Sequence, residues 1–183
     1  MNFIIFDLEL TCWEGDMAGR EQEIIELSAF KLNSYGHITS RFSRFIKPKL
    51  YPTLSPFCVQ LTTINQSQIN KAKYFKEVIK DFLEWVDHDQ DEYYLIAWGH
   101  TDLESLKSEC KNNNVDTEWL QNYVDLNLRY IRLKKFRDPV SLLGALTLEG
   151  FEFEGIQHRA EDDAFNTTKI FIKYLADWDI YKY

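Results

Sequence analysis

Short apolar runs alternate with polar segments along the chain, and their spacing predicts strands near the N-terminus. Residues 3–6 (FIIF) are all apolar, which is typical of a strand covered on both faces. A second strand is predicted over residues 23–32 and a third over residues 38–46, with Tyr35-Gly36 in the turn between them. Three strands joined by short connections predict an antiparallel meander.

Helical spacing begins after three prolines between residues 48 and 56, which interrupt regular structure and predict an extended loop or edge segment. Residues 75–86 carry apolar side chains three and four positions apart, the spacing of one face of an amphipathic helix. Residues 93–98 (YYLIAW) predict another buried strand, and a helix is expected to follow over residues 101–112.

The C-terminal third of the chain is predicted to be mainly helical. Residues 116–132 predict a pair of helices anchored by Trp119 and Tyr123, residues 141–149 a short helix, and residues 161–178 the last long helix. A meander followed by strands that alternate with helices predicts an α/β fold with one mixed sheet flanked by helices.

The composition fits one compact domain. The chain has 183 residues, of which 45% are hydrophobic and 15% aromatic, so residues 1–183 are expected to form a single domain with a sizeable core. No uninterrupted apolar run is long enough to cross a bilayer, and the N-terminus leads straight into the first strand without a basic leader. An odd number of cysteines without paired spacing predicts reduced thiols in a cytoplasmic protein.

The formal net charge of −8 argues against a broad basic surface, so non-specific affinity for nucleic acids should be modest. A nucleic-acid substrate is still compatible with this charge. Part of the negative charge could lie in a metal site, where bound cations reverse its local effect.

Two carboxylates follow the first apolar run. Asp7 and Glu9 are two residues apart, and because side chains alternate between the faces of a strand, both should point to the same side. Side by side and partly desolvated, they would raise each other's pKa unless a cation neutralised them. Carboxylate oxygens suit Mg²⁺ or Mn²⁺ better than zinc. The alternative is a strand that simply ends in solvated acids.

Further acidic positions lie downstream, close to predicted helix starts. Asp102 follows the 93–98 strand, where open α/β sheets place their sites, although a helix cap or first-turn acid is the commoner role. His158 is expected in the loop before the last helix and Asp163 in its first turn. Taken singly, His158 would be an ordinary surface histidine and Asp163 an acid that interacts favourably with the helix dipole.

Together these residues resemble a known family. Asp-x-Glu at Asp7 and Glu9, then Asp102, then His-x(4)-Asp at His158 and Asp163 match the DEDDh 3′–5′ exonucleases in content, order and spacing. Over nearly its whole length the chain is similar to the enhanced-RNAi and histone-mRNA 3′-end exonuclease branch, which includes bacterial KapD-like members. The segments that carry this similarity are residues 7–12 (DLELTC) with Glu14-Gly15, 23–26 (EIIE), 54–69 (LSPFCVQLTTINQSQI) and 157–163 (QHRAEDD).

The resemblance implies an RNase H-like fold, in which a mixed five-stranded sheet begins with the antiparallel meander, continues with parallel strands and is flanked by helices. It implies a catalytic set of Asp7, Glu9, Asp102, His158 and Asp163. The four acids would hold two divalent ions, Mg²⁺ or Mn²⁺, ~3.5–4 Å apart. The histidine would be the general base, because this side chain readily exchanges a proton near neutral pH.

The same resemblance implies that the segment from Leu8 to Thr11 surrounds the terminal nucleotide and that an aromatic ring stacks on a base. The residues implied in substrate binding are Leu8, Leu10, Thr11, Trp13, Leu61 and Thr62, with Phe57 a weaker candidate. Leu10 departs from the alanine of many relatives and predicts a narrower nucleotide pocket. For the two aromatic residues, packing within a loop or the core is the alternative role.

Several cations are candidate phosphate contacts, although a solvated surface position is the commoner role for such residues. These candidates are Lys47, Lys49, Lys71, Lys73 and the cluster of Lys134, Lys135 and Arg137. Asp125 falls in a predicted helical region and is expected to be structural.

Three functions are compatible with the sequence. The first is a metal-dependent 3′–5′ exonuclease that shortens single-stranded RNA, with DNA as an open alternative, and releases nucleoside 5′-monophosphates. The second is a nucleic-acid-binding module of the same fold without catalysis, against which the intact set of four acids and a histidine argues. The third is a two-metal nuclease that cuts internally. The expected partner is the 3′ end of a single-stranded nucleic acid, and no membrane partner is expected.

Overall fold

Strand β1 (Asn2–Leu10) lies inside a six-stranded mixed sheet in the computed structural model, which describes residues 1–15, 19–88, 92–178 and 180. Residues 3–6 of this strand are at most 1% exposed, as expected for a strand covered on both faces. The other strands are β2 (Ile24–Asn33), β3 (Ile38–Lys47), β4 (Lys73–Tyr74), β5 (Tyr93–Ala97) and β6 (Tyr123–Asp125), in the spatial order β4-β3-β2-β1-β5-β6.

The pairing of these strands confirms the predicted meander. Strand β2 pairs antiparallel with both β1 and β3. In contrast, β5 pairs parallel with both β1 and β6. The count of five strands implied by the resemblance was wrong, because the described residues form six: the four strands that the apolar pattern predicts and two short edge strands, β4 and β6.

The prediction of a helical pair over residues 116–132 was also wrong. This segment contains a 3₁₀ turn at Glu118–Leu120, then β6, and only then a helix. Residues 123–125 pair with residues 95–97 of β5, so a non-local partner overrides the helical spacing of their side chains.

Seven α-helices accompany the sheet in the described part of the chain. They are α1 (Pro56–Thr62), α2 (Gln66–Lys71), α3 (Phe75–Val86), α4 (Thr101–Asn113), α5 (Leu126–Lys134), α6 (Leu142–Glu149) and α7 (Ala160–Lys173). Helices α3, α4 and α6 confirm the sequence prediction, and α7 ends five residues earlier than predicted. Within the described residues, no helix has both the length and the apolar character needed to cross a membrane.

The sequence pattern missed α1 and α2, which are both short. Pro56 is the first residue of α1 rather than a breaker, since a proline at the first helical position has no hydrogen-bond partner to lose. Ser55 caps this helix by accepting a hydrogen bond from the Cys58 N–H, and Asn65 with Gln68 forms a capping box at the start of α2.

Two core clusters cover the opposite faces of β1. Ile4 and Phe6 belong to the cluster that includes α3, whereas Phe3 and Ile5 pack on the side of α7, where the rings of Phe3 and Phe171 lie 4.9 Å apart. Because side chains alternate along the strand, the next two odd-numbered positions, which are acidic, also point toward α7. The alternation that buries the apolar residues of β1 therefore also determines on which face of the sheet the acidic residues lie.

Candidate active site

Three carboxylates converge where the C-terminal part of β1 faces α7. Asp7 and Glu9 project from the strand, and Asp163 lies in the first turn of the helix. One carboxylate oxygen of each residue lies within 4.8 Å of the other two. The structure thus brings these acids together across more than 150 residues of sequence, on the face of the sheet that strand alternation predicts.

Asp102 lies beside this group of three, in the first turn of α4, just after strand β5. The main-chain N–H groups of Asp102 itself and of Leu8 on β1 act to lower the pKa of this carboxyl group. It is close enough to Asp7 to be the second cause, after burial, of that residue's raised pKa. Asp102 is therefore both a first-turn acid and a neighbour of the carboxylate cluster, because β1 and β5 are adjacent parallel strands.

All four carboxyl groups have a raised pKa, and burial is the largest cause in each case. Burial and the neighbouring Asp163 and Glu26 raise the pKa of Glu9 to about 8. Burial raises the pKa of Asp102 to about 7 and that of Asp163 to about 6, although main-chain hydrogen bonds oppose both increases.

This charge arrangement tests whether the residues fit a metal. Several acids that repel one another in a partly buried site are stabilised in their charged form by a cation. Every donor in the set is a carboxylate oxygen, the hard ligand that suits Mg²⁺ and Mn²⁺. The donor set therefore fits divalent metal ions.

His158 lies in the loop before α7, and its main chain is tied to the acid cluster. Its N–H donates a hydrogen bond to Oδ2 of Asp163, with 2.8 Å between the two atoms. Its φ angle is +62°, in the left-handed region that residues other than glycine adopt infrequently, and its side chain is exposed. The four-residue spacing between the histidine and the aspartate thus corresponds to a turn closed by this hydrogen bond.

Gly155 explains part of the conformation of the same loop. Its φ angle is +89°, and a Cβ atom at this position would overlap the carboxylate of Asp162. That carboxylate accepts a hydrogen bond from the Ile156 N–H at 2.8 Å. Asp162 therefore organises the loop rather than joining the cluster.

A groove of about 400 Å³ lies near the N-terminal loop. Its walls are formed by Glu14 and by four residues of α1, namely Pro56, Phe57, Gln60 and Leu61. Trp13 packs edge-on against Tyr51, with 4.8 Å between ring centroids, and is partly buried, as is Leu10. The groove, Trp13 and Leu10 thus remain candidates for nucleotide contact.

The other implied substrate contacts have buried side chains. Leu8 packs in the core cluster that includes α3. The Thr11 hydroxyl accepts a hydrogen bond from the Glu23 N–H, and the Thr62 hydroxyl donates to the Cys58 carbonyl. These three side chains hold β1, the loop and α1 together, and the prediction that their segments contact a substrate stays a prediction.

Two of the candidate phosphate-binding lysines form ion pairs within the protein. Lys73 lies 2.7 Å from Asp81, and Lys134 lies 2.8 Å from Glu149. The other candidates are at least partly exposed, and they are Lys47, Lys49, Lys71, Lys135 and Arg137. Asp125 caps α5 by accepting a hydrogen bond from the Leu128 N–H, which is the structural role expected for it.

Sequence reasoning missed two residues beside the acid cluster. The Tyr123 hydroxyl donates a hydrogen bond to the Gly99 carbonyl, in the loop that leads to Asp102. Glu26 is buried on β2, directly opposite Glu9. Glu26 could have been found from the sequence, because it is an acid inside a strand of apolar residues and a buried charge needs a partner.

Residues 4–171 of the chain match the family model RNase_T, described as "Exonuclease". The chain belongs to the RNase_T exonuclease family. It is 32% identical to ERI1 exoribonuclease 2 of Homo sapiens and 34% identical to the same protein of Xenopus laevis, in each case over 201 residues and 98% of this chain. It spans only 29% of the length of either relative.

Solved structures of the family have the same fold. The nuclease domain of 3′hExo, a DEDDh family member bound to rAMP, has a TM-score of 0.89 and 27% identity over 96% of this chain and 92% of that one. A 3′-exonuclease structure concerned with recognition of the histone mRNA stem-loop has a TM-score of 0.91 and 26% identity over 96% of this chain and 64% of that one. These similarities confirm the DEDDh resemblance and the RNase H-like α/β fold.

Proposed function

We propose that this RNase_T-family chain is a metal-dependent 3′–5′ exonuclease that hydrolyses the phosphodiester bonds of single-stranded RNA and releases nucleoside 5′-monophosphates. The observation that carries the proposal is the convergence of the Asp7, Glu9 and Asp163 carboxylates within 4.8 Å, with Asp102 beside them. Relatives named exoribonucleases, and a similar domain bound to rAMP, support RNA as the substrate class.

In this proposal Asp7, Glu9, Asp102 and Asp163 hold two divalent ions, with Mg²⁺ and Mn²⁺ as the candidates. When bound, such ions supply Lewis-acid stabilisation of the scissile phosphate and make water a better nucleophile. The protein contributes the fixed placement of the ligands, since two lie on β1, one at the start of α4 and one at the start of α7. Rigid elements of this kind keep carboxylates in place without the substrate.

His158 is assigned the role of general base. Its ring is exposed, and its main chain is anchored to Asp163, so the imidazole can receive the proton of the attacking water beside the acid cluster. The groove lined by Phe57 and Leu61 is assigned to the terminal nucleotide, with the Phe57 ring available for stacking on a base.

We also propose that residues 1–183 act as one exonuclease domain. A family match over residues 4–171 and a continuous six-stranded sheet support this proposal. The cytoplasmic location inferred from the odd, unpaired cysteines stays a prediction.

The decisive experiment is a time course on 5′-labelled single-stranded RNA and DNA of one sequence, with Mg²⁺, Mn²⁺ or EDTA. A metal-dependent ladder that shortens from the 3′ end is expected, and the ratio of the RNA and DNA rates reports the sugar preference. A circular RNA of the same sequence should resist cleavage. Cleavage of the circle would instead indicate an internal nuclease, and no cleavage of any substrate by folded protein would leave a nucleic-acid-binding module.

A further inference from the structure

Glu26 is a fully buried carboxylate next to the acid cluster. It lies on β2, where its exposed fraction is 0%, and it is the direct register partner of Glu9 on β1. Residues directly opposite each other on antiparallel strands place their side chains on the same face of the sheet. Glu26 therefore points toward α7, as Glu9 does, without belonging to the group of three converging carboxylates.

Three hydrogen bonds satisfy this carboxylate, and all come from two consecutive residues. Arg159 donates from Nη2 to Oε1 at 2.8 Å and from Nε to Oε2 at 3.1 Å, and the N–H of Ala160 donates to Oε2 at 3.1 Å. The guanidinium also lies over the ring of Phe45, 5.7 Å from its centroid. A two-point contact of this kind fixes orientation as well as distance.

The two donors directly follow His158 in the chain. His158 has a φ angle of +62°, and a residue other than glycine holds such a conformation only where its surroundings enforce it. The hydrogen bond from its N–H to Asp163 restrains one side of the turn. The bonds from Arg159 and Ala160 to Glu26 restrain the other side and attach it to the central sheet.

We propose that Glu26 is a positioning residue, which holds the His158 turn and the start of α7 in register with the acid cluster through Arg159 and Ala160. The inference rests on the proposed exonuclease function for its catalytic consequence. Glu26 does not touch the reacting atoms in this scheme. It acts through the placement of the general base.

The chain offers a matched control in Glu149, whose side chain is 4% exposed and which also holds α7. Its carboxylate lies 2.8 Å from Nζ of Lys134 and 2.8 Å from Nζ of Lys173, near the opposite end of the helix from His158. Glu26→Gln and Glu149→Gln each remove one buried negative charge that anchors α7. Only the first variant should affect catalysis if the position of the His158 turn is what matters.

The kinetic test measures kcat and KM on single-stranded RNA with Mn²⁺ for the wild type, Glu26→Gln, Arg159→Lys and Glu149→Gln. Glu26→Gln should lower kcat about 10–100-fold, the range found for groups that orient the residues of a metal site, with little change in KM. Arg159→Lys keeps the charge but loses the two-point contact, so kcat should fall in this variant as well. Glu149→Gln should keep the wild-type kcat.

A double variant separates positioning of the histidine from a general structural effect. If Glu26 acts through His158, Glu26→Gln should cause little further loss of kcat once His158→Ala is present, because residues that act as a unit are not additive. If Glu26→Gln lowers kcat by the same factor in the wild type and in His158→Ala, the inference is overturned. Arg159→Lys provides the same comparison if Glu26→Gln does not fold.

Amide hydrogen exchange of the metal-free protein provides a readout that needs no activity. Glu26→Gln should speed exchange in peptides that cover residues 157–163 and leave those that cover residues 167–173 unchanged. Exchange that is unchanged at residues 157–163 would overturn the inference, whether or not the wild type is a nuclease. An inactive wild type with the expected exchange pattern would instead refute the proposed function and preserve the anchoring role.

Discussion

The main-chain N–H of His158 donates a 2.8 Å hydrogen bond to Oδ2 of Asp163, so the proposed base and a proposed metal ligand are joined through the backbone. Because the donor is the main chain, a substitution of the histidine side chain leaves this bond in place. The role of the imidazole can therefore be tested separately from the geometry of the acid cluster.

His158→Asn is the variant that isolates the imidazole, since asparagine tolerates a positive φ angle better than most residues. The rate of RNA shortening should fall about 10²–10⁴-fold, the usual contribution of general base catalysis. Calorimetric affinity for Mn²⁺ and the melting temperature should stay close to those of the wild type. A variant that retains the wild-type rate would remove His158 from the mechanism.

Removal of one carboxylate should abolish the response to metal. Asp7→Asn is expected to lower the rate about 10²–10³-fold or more and to cancel the rise in melting temperature that Mn²⁺ gives the wild type. Glu161→Gln is the control, because Glu161 lies in the same turn of α7 as Asp163 but pairs with Arg41 at 2.8 Å. An equal loss in both variants would argue against a specific metal site.

The stability of the metal-free protein should decrease as the pH rises from about 5 to 8. The pKa values of Glu9, Asp102 and Asp163 are raised to about 8, 7 and 6, whereas acids in an unfolded chain titrate near 4. The native state then binds more protons than the unfolded state across this range, so the free energy of unfolding falls with increasing pH. Urea unfolding in EDTA at pH 5 and pH 8 measures this difference.

A metal ion should reverse that trend, because it replaces the protons that the cluster binds at low pH. Mn²⁺ is therefore expected to raise the free energy of unfolding more at pH 8 than at pH 5. In EDTA, Glu9→Gln should reduce the change in the free energy of unfolding between pH 5 and pH 8. If the metal-free wild type were more stable at pH 8 than at pH 5, the electrostatic description of the site would be wrong.

Glu149 should contribute stability without contributing to catalysis. Burial raises its pKa, but hydrogen bonds from Lys134, Lys173, Tyr174 and Tyr130 outweigh burial and hold the pKa below its ordinary value. Its contribution is therefore complete above the unfolded pKa near 4.5 and is lost as the pH falls. Glu149→Gln should lower the free energy of unfolding at pH 7 by about 2 kcal/mol, less than for a fully buried pair, because both lysines are partly exposed.

Urea unfolding of Glu149→Gln and the wild type at pH 7 and pH 3 tests this prediction. The difference between the two proteins should shrink at pH 3, because the carboxyl group is then protonated in the unfolded state while its lowered pKa keeps it charged in the native state. A difference that does not depend on pH would mean that packing, rather than the ion pairs, supplies the stability.

Several features could be predicted from the sequence because their determinants are local. The apolar spacing of residues 75–86 corresponds to α3, and the alternation along β1 places Asp7 and Glu9 on one face. Strand β6 could not be predicted in this way, because its three residues are extended only through pairing with β5. The burial of Thr11 and Thr62 likewise depends on contacts made by other parts of the chain.

The sequence by itself determined the meander and most of the helices, since periodicity is a property of neighbouring residues. It also determined the order of acids and histidine, which indicates the exonuclease family through its resemblance to that family's motif. Only the tertiary structure decided that Asp163 meets Asp7 and Glu9 and that Arg159 reaches Glu26. These pairs are separated by more than 130 residues, and no local rule brings them together. Their meeting depends on how α7 packs against β1 and β2, which is a property of the whole core.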